Sequence, residues 1–486
     1  MMRSSKPAAY HSILAQQVQW RHPKIVQSGV DQTRLVITDA PTEAVPFSFV
    51  VMGDTDAGAG VGASADGGET TFSASFAQQL MAQLGGSRFL LHTGDVTYPV
   101  GTYQNYLSGF LQPYQTLLST LPESPAYKGE GITFERPLLP VPGNHDYAEK
   151  MSGLRSWDCF MRFVCDRLRR IGIDWGHYGG QGGEAYGQTF LDDLATLTPE
   201  QLSAHLRDHY SAVVDNAVAD NGGEFRYGLN YRAGKFTRLP NRYYRFRYGG
   251  IDFFALDSNT WNTDSTAEGF DHEQLAWLEN ALVESWQSPE VVGRIVYLHH
   301  SPYTTESTRW QQSETLWIRR HLRSVLDKVA VAVDRVFSCS HDFVDGDHTP
   351  PLVDLVISGH AHCLEHVRTM DTGHADSHLD WLVCGGSGAS LRRQWDADAD
   401  ILENLSRQGR SVTGVVAKSQ LYAGIHGRGN KKQQFHSFVK VEVQPHQTKK
   451  LRVCPYVVVR DHMGWQTKAL TAWSLGGTHA TQAYVA

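Results

Sequence analysis

Residues 49–58 read FVVMGDTDAG. An apolar run stops at Gly53, and two acids follow, Asp54 and Asp56. A short apolar run that ends at glycine reads as a buried strand. A carboxylate at the end of such a strand is costly unless something positive meets it. The same arrangement recurs along the chain. RFLLHT (88–93) runs into GDVTY, which supplies Asp95 and Tyr98. PLLPV (137–141) runs into PGNHD, with Asn144, His145 and Asp146. RIVYLHH (294–300) carries His299 and His300 ahead of Ser301 and Pro302, and VDLVIS (353–358) runs into GHAH, with His360 and His362.

Helical spacing separates the first two runs: TFSASFAQQLMAQLG (71–85) closes on a glycine. Strand–helix–strand units of this kind predict an α/β fold with parallel strands. Further strands are expected at 243–249, 251–257 and 379–385, with a short one at 33–38 in an otherwise extended N-terminal arm. SFVKVEVQ (437–444) and LRVCPYVVV (451–459) alternate and predict a hairpin closing a second sheet. Residues 150–240 break the rhythm and read as an insertion. It is rich in Gly, Arg and aromatics (WGHYGGQGGEAYG) and holds a helix over 198–218, opened by Thr198 as cap and Pro199 in the first turn.

Of 486 residues, 41% are hydrophobic, enough for a large core. The net charge of −7 and the absence of a basic run argue against a protein that coats nucleic acid or an anionic membrane. No stretch approaches the roughly 20 apolar residues of a membrane helix, and the first residues lack an apolar core of signal-peptide length. The six cysteines are scattered without a CxxC, which suits reduced thiols and a cytoplasmic location.

Carboxyl ends of strands in an open α/β sheet are where ligands bind. Five such strands in one sheet would aim Asp, Asp, Asn, His and His-x-His at one place. Oxygen and imidazole donors without thiolates suit Fe, Mn, Zn or Mg. The donors are too many for one ion, and two ions sharing a carboxylate is the economical solution. Each motif alone has an ordinary reading as a turn or cap; all five, in order and each after a strand, do not.

On these motifs the chain resembles the calcineurin-like metallophosphoesterases, whose signature is D-x-[H/G], G-D-x-x, G-N-H-[D/E], H-x-P and G-H-x-H. The resemblance covers about 46–390 and extends to YRFRYGGIDFFALDSN and the helix EQLAWLENAL. It implies two mixed β-sheets in a sandwich flanked by helices, as a catalytic domain over 46–400 with the insertion at about 150–240, an N-terminal arm over 1–45, and a segment 401–486 completing the second sheet. It implies a phosphoric ester hydrolase, phosphatase or phosphodiesterase, with a dinuclear centre and a metal-bound hydroxide as nucleophile. Asp95 would bridge the ions. Asp54 and His362 would hold one, and Asn144, His360 and one of the HH pair the other. His300 is preferred because it makes H-x-P; His299 is the alternative. His145 would face the substrate, with Asp146 orienting its ring.

Asp56 departs from the pattern, since much of the family has histidine there. GDVTY matches the purple acid phosphatase branch, where a tyrosinate binds ferric iron. Either Tyr98 binds and Asp56 stands behind it, or Asp56 is the ligand and Tyr98 packs against the site. The strength of phenolate as a ligand for a hard trivalent ion favours Tyr98. The implied ions are divalent or mixed-valence, Fe with Fe, Zn or Mn. The implied partner is a phosphate-ester substrate. A nucleotide-directed phosphodiesterase is the second reading, with the aromatic insertion stacking a base. A scaffold with a decayed site is the third, disfavoured because Asp56 is the sole anomaly. His341, His348, His374, His378, Asp345, Asp347 and GGSG (385–388) receive no role.

Overall fold

The computed structural model describes residues 25, 27–55, 72–119, 132–147, 183–194, 197–213, 226–339, 351–388, 390–396, 399–407, 410–447 and 450–475. Asp56, His341, Asp345, Asp347, His348 and most of WGHYGGQGGEAYG lie outside them. Two sheets carry the fold. One runs Asp400–Arg407, Arg410–Ala423, Leu364–Thr369, Asp380–Cys384, Leu355–Ser358, Gly293–Tyr297, Ile251–Ala255, Tyr244–Tyr248, Val30–Ile37, Arg226–Tyr231, Tyr210–Val213. The other runs Gly464–Ala469, Leu451–Asp461, His436–Val443, Phe47–Met52, Leu90–His92, Leu138–Pro140, with Trp473–Ser474 also on Leu451–Asp461. Both are mixed. Phe47–Met52, Leu90–His92 and Leu138–Pro140 are parallel, as are Ile251–Ala255, Gly293–Tyr297, Leu355–Ser358 and Asp380–Cys384. The expected hairpin pairs antiparallel from His436 opposite Val458 to Val443 opposite Leu451.

The central strands of the larger sheet, Ile251–Ala255, Gly293–Tyr297, Leu355–Ser358 and Asp380–Cys384, are buried on both faces, and alternate residues feed different cores. Phe253, Ile295, Tyr297 and Ile357 point between the sheets. Phe254, Val296, Leu298 and Val356 point to the helices His272–Gln287 and Ser313–Cys339. Between the sheets the packing is aromatic. Phe253 meets Phe49 and Phe89 edge-on, each at 5.4 Å between ring centroids, and Phe49 stacks on Phe89 at 5.2 Å. Such pairs add about 0.5–1.5 kcal/mol each beyond area burial. The helix Phe72–Gln83 covers the outer face of the smaller sheet, where Phe76 meets Phe438.

Three expectations change. The motif-bearing strands do not share one sheet: those before Asp54, Asp95 and Asn144 lie in the smaller sheet, and those before His299 and His360 in the larger. The helix over 198–218 ends at His209; Thr198 does cap it, in a capping box with Gln201, but Tyr210–Val213 leaves as a strand paired with Arg226–Tyr231. Its Tyr, Ala and Val suit a pleated surface, and the pairing overrides helical propensity. Of the segment after residue 400, Asp400–Arg407 and Arg410–Ala423 extend the larger sheet, while His436–Val443 and Leu451–Asp461 lie in the smaller. Among the described residues no helix is long and apolar enough to cross a membrane.

Candidate metal centre

The carboxyl ends of the parallel strands of both sheets meet along one edge. Asp54 and Asp95 follow their strands in left-handed backbone conformations, with φ of 57° and 51°, and so does His360, with φ of 64°. Such angles are costly for residues with a Cβ and are held only where surroundings impose them. The surroundings here are hydrogen bonds between motif turns: Asp54 N–H to Gly94 O (3.0 Å), Thr55 N–H to Asp95 O (3.3 Å), and, across the sheets, His360 N–H to Asp54 Oδ2 (3.0 Å). The glycines beside them leave no space for a side chain. A Cβ at residue 143 would lie 2.1 Å from Asp95 Oδ1, and one at residue 385 would lie 2.9 Å from Asp54 Oδ2. That gives the GGSG segment a place: it packs under Asp54, and Ser387 Oγ accepts from Gly53 N–H at 3.3 Å.

Donor atoms converge in two adjoining groups. In the first, Tyr98 Oη lies 2.8 Å from Asp54 Oδ1, 2.8 Å from Asp95 Oδ2 and 3.2 Å from His362 Nε2. In the second, His299 Nε2 lies 3.1 Å from Asn144 Oδ1, 3.1 Å from His360 Nδ1 and 3.4 Å from Asp95 Oδ2. Asp95 Oδ2 belongs to both. The back nitrogens are fixed by carbonyls, His299 Nδ1 by Thr93 O (2.8 Å) and His362 Nδ1 by Ser390 O (2.5 Å). In the neutral rings that a metal would bind, this leaves Nε2 of each as the lone-pair nitrogen facing the cluster.

The sequence preference for His300 is not matched. His300 turns away, with Nδ1 at 2.8 Å from Ser258 Oγ and Nε2 at 3.2 Å from the Asn262 amide. The reason is the strand's alternation. Tyr297 and His299 share the face toward the smaller sheet, and Leu298 and His300 share the face toward the helices. The expected role of Asp146 also changes. Its carboxylate does not touch the His145 ring; it accepts from Tyr106 Oη (2.6 Å), Gly143 N–H (2.8 Å) and Val96 N–H (3.1 Å), tying the Asp95 turn to the Asn144 turn. The His145 ring is instead held by Pro99 O at Nδ1 (2.8 Å) and lies against Tyr98, 4.4 Å between centroids. His374 pairs with Asp327 at 2.9 Å, in the loop that also holds His378.

Residues that the motifs do not reveal brace the site. His92 Nε2 meets Thr55 Oγ1 at 3.0 Å and its Nδ1 accepts from Gly94 N–H; burial pushes the ring down to about 3, so it stays neutral and can accept. Tyr147 donates to Asp257, which also meets Arg242 at 3.0 Å, and Asn259 donates to Pro142 O at 2.9 Å. The ALDSN turn thereby pins the GNHD helix. The ALDSN resemblance was the only signal for it in the sequence.

The donor set fits cations. Burial pushes the Asp54 carboxyl up to about 8, opposed by His299 and reinforced by Asp95. Burial works the same way on Asp95, but His299 and His145 outweigh it and hold Asp95 well below the carboxylate range. Burial lowers His299, and Asp95 and Asp54 reverse this to about 9. Burial, then Asp54 and Asp95, raise the Tyr98 phenol. Two buried carboxyl groups and a phenol thus lie against a single raised imidazole, and a metal ion placed among them would supply the positive charge that lets all three ionise.

A pH dependence follows for chelator-treated protein. Asp54 binds its proton more tightly folded than unfolded, so its stabilisation is full below about 3.8 and is lost as pH rises through about 8. His299 acts in the same direction, from about 6.5 through about 9. Asp95, with its lowered value, contributes stability that is lost only as pH falls below about 3.8. The melting temperature of the metal-free protein should therefore peak in mildly acidic buffer and fall toward pH about 9, and added Zn²⁺ should abolish that fall. Equal or greater metal-free stability on the alkaline side would contradict this charge balance.

Residues 47–364 match the family model described as calcineurin-like phosphoesterase. A search of curated proteins finds no match. Among solved structures the chain is similar to a purple acid phosphatase from yellow lupin (Lupinus luteus) seeds, at 14% identity and TM-score 0.44, over 88% of this chain and 54% of that one. It is similar to GAP50, described as the anchor in the inner membrane complex of Plasmodium, at 12% identity and TM-score 0.39, over 88% of each chain. It is similar to PhoD at 13% identity and TM-score 0.39, over 88% of this chain and 72% of that one. The chain thus spans about half the length of the lupin protein.

Proposed function

The chain belongs to the calcineurin-like phosphoesterase family, and on that premise we propose that it is a metal-dependent hydrolase of phosphoric esters working with two ions. The observation that supports this reading is the pair of adjoining donor groups with Asp95 Oδ2 common to both. Asp54, Asp95, Tyr98 and His362 would hold one ion; Asp95, Asn144, His299 and His360 the other. Neutral amide, imidazole and anionic oxygen donors without thiolate fit Fe, Zn or Mn. When bound, the ions supply Lewis acidity toward water and a phosphoryl oxygen.

The chain's own contribution is placement and a proton. Backbone ties between motif turns hold the donors before any substrate arrives, which is where electrostatic stabilisation gains its effect. His145 is partly exposed beside the two groups. With Nδ1 given to Pro99 O, its Nε2 is the nitrogen left to meet a leaving oxygen. Asp146 would act indirectly, by locking the turn that presents Asn144 and His145.

His145→Ala tests this division of labour. The variant should keep its metal and lose about 10²–10⁴-fold in turnover on alkyl phosphate esters, the range typical of a general acid. The loss should be smaller with p-nitrophenyl phosphate, whose leaving group departs without a proton. Loss of metal in the variant, or equal loss on both substrates, would refute the acid role. Running p-nitrophenyl phosphate beside bis(p-nitrophenyl) phosphate in the same assay separates monoesterase from diesterase.

A further inference from the structure

Behind His360 a further group of donors comes together. His360 is only 3% exposed, and its Nε2 makes no hydrogen bond among the described residues. Its Nδ1 is already committed toward His299 Nε2 at 3.1 Å, so the unpartnered Nε2 is the nitrogen left over from the centre described above. A buried polar nitrogen without a partner is expensive, and what surrounds this one is chemically specific. His300 and Glu314 present donor atoms that lie, with one from His360, within 4.8 Å of one another.

The fold builds this juxtaposition from three sides. The strands Gly293–Tyr297 and Leu355–Ser358 are parallel neighbours, and their pairing continues past the strand ends through Gly359 N–H to His299 O. Ser301 Oγ adds a bond to Gly359 O at 2.5 Å. The His300 ring is thereby set beside that of His360, 4.5 Å between centroids. Glu314 comes from the first turn of the helix Ser313–Cys339. Ser258 Oγ, 2.8 Å from His300 Nδ1, can take that N–H and leave Nε2 with its lone pair. Asn262 stands 3.2 Å from that Nε2 through its amide, whose oxygen and nitrogen ends are interchangeable by a flip.

We propose that His300, Glu314 and Nε2 of His360 form a separate cation site for a first-row divalent metal, with the His360 imidazole common to it and the main centre. Two imidazoles and a carboxylate are a donor set for Zn, Mn, Fe or Co. On binding, the Nε2 proton of His360 leaves to solvent and its electron pair goes to the cation; no other bond changes. Glu314, half-buried at the helix start, brings the negative charge and an opening toward solvent. This explains why His300 is buried next to the centre yet turned from it.

The test is Zn²⁺ binding to the chelator-stripped full chain, by equilibrium dialysis and elemental analysis. Glu314→Gln keeps size and removes the charge. It should bind one Zn²⁺ fewer than the wild type, or bind that ion about tenfold or more weakly, and Glu314→Asp should recover part of the loss. Asp95→Asn should retain the ion that Glu314→Gln loses. Equal stoichiometry and affinity in wild type and Glu314→Gln overturn the proposal, whatever happens at Asp95. Failure of the two-ion reading shows separately, as wild-type binding in Asp95→Asn.

Discussion

Asp95→Asn is expected to lose most of the metal at the main centre and to lower turnover about a thousandfold or more, the scale of losing several kcal/mol of metal-borne charge stabilisation. Asp95 Oδ2 faces both Tyr98 Oη at 2.8 Å and His299 Nε2 at 3.4 Å, while Oδ1 accepts the His145 N–H at 2.8 Å. Asparagine preserves size, and its amide oxygen can still take the His145 N–H. Its NH₂ would then face the cations, as a donor where an anion is needed. The fold should persist, because a buried charge is removed rather than added. Metal analysis and a steady-state assay check the prediction; wild-type metal content with wild-type turnover would remove Asp95 from the account.

His299→Ala should follow closely, with about 10–100-fold weaker binding of the second ion and a matching fall in turnover under limiting metal. His300→Ala should cost the main centre less. His299 has its Nδ1 bonded to Thr93 O and its Nε2 among Asn144, His360 and Asp95, whereas both His300 nitrogens face Ser258 and Asn262. Metal titrations of the two variants, side by side, decide the order. The reverse order would return the ligand to His300 and make the present rotamers those of a different metal state.

That pair also shows what the sequence holds and where it is silent. Strand ends followed by GD, GD, GN and GH are legible because each carries its own punctuation and its own donor. That His299 faces the donor cluster while His300 turns from it was legible too, though not from H-x-P. Ile295, Tyr297 and His299 keep the parity of the face between the sheets, and counting by twos along RIVYLHH selects His299. Asp146 was not legible. Its neighbour in sequence is His145, but its partners are Tyr106, Val96 and Gly143, brought in by a four-residue helix and a distant turn. The reading from strand ends also passes over the helix Ser313–Cys339, although Ile318, Leu322, Val325 and Val329 recur at helical spacing and are buried. Without that helix, Glu314 has no place beside His360. Two sheets rather than one could not be counted from the motifs, because carboxyl ends look alike whichever sheet they leave.

The most direct test of the two-ion centre is anomalous diffraction from crystals of the protein loaded with Mn²⁺ or Zn²⁺. At the main centre the account predicts two peaks about 3.5–4 Å apart, besides any further peak at His300, Glu314 and His360. One should lie within bonding distance of Asp54, Asp95, Tyr98 and His362, and the other within bonding distance of Asp95, Asn144, His299 and His360. A single peak at that centre, or ions bound only away from Asp95 and Tyr98, would contradict it.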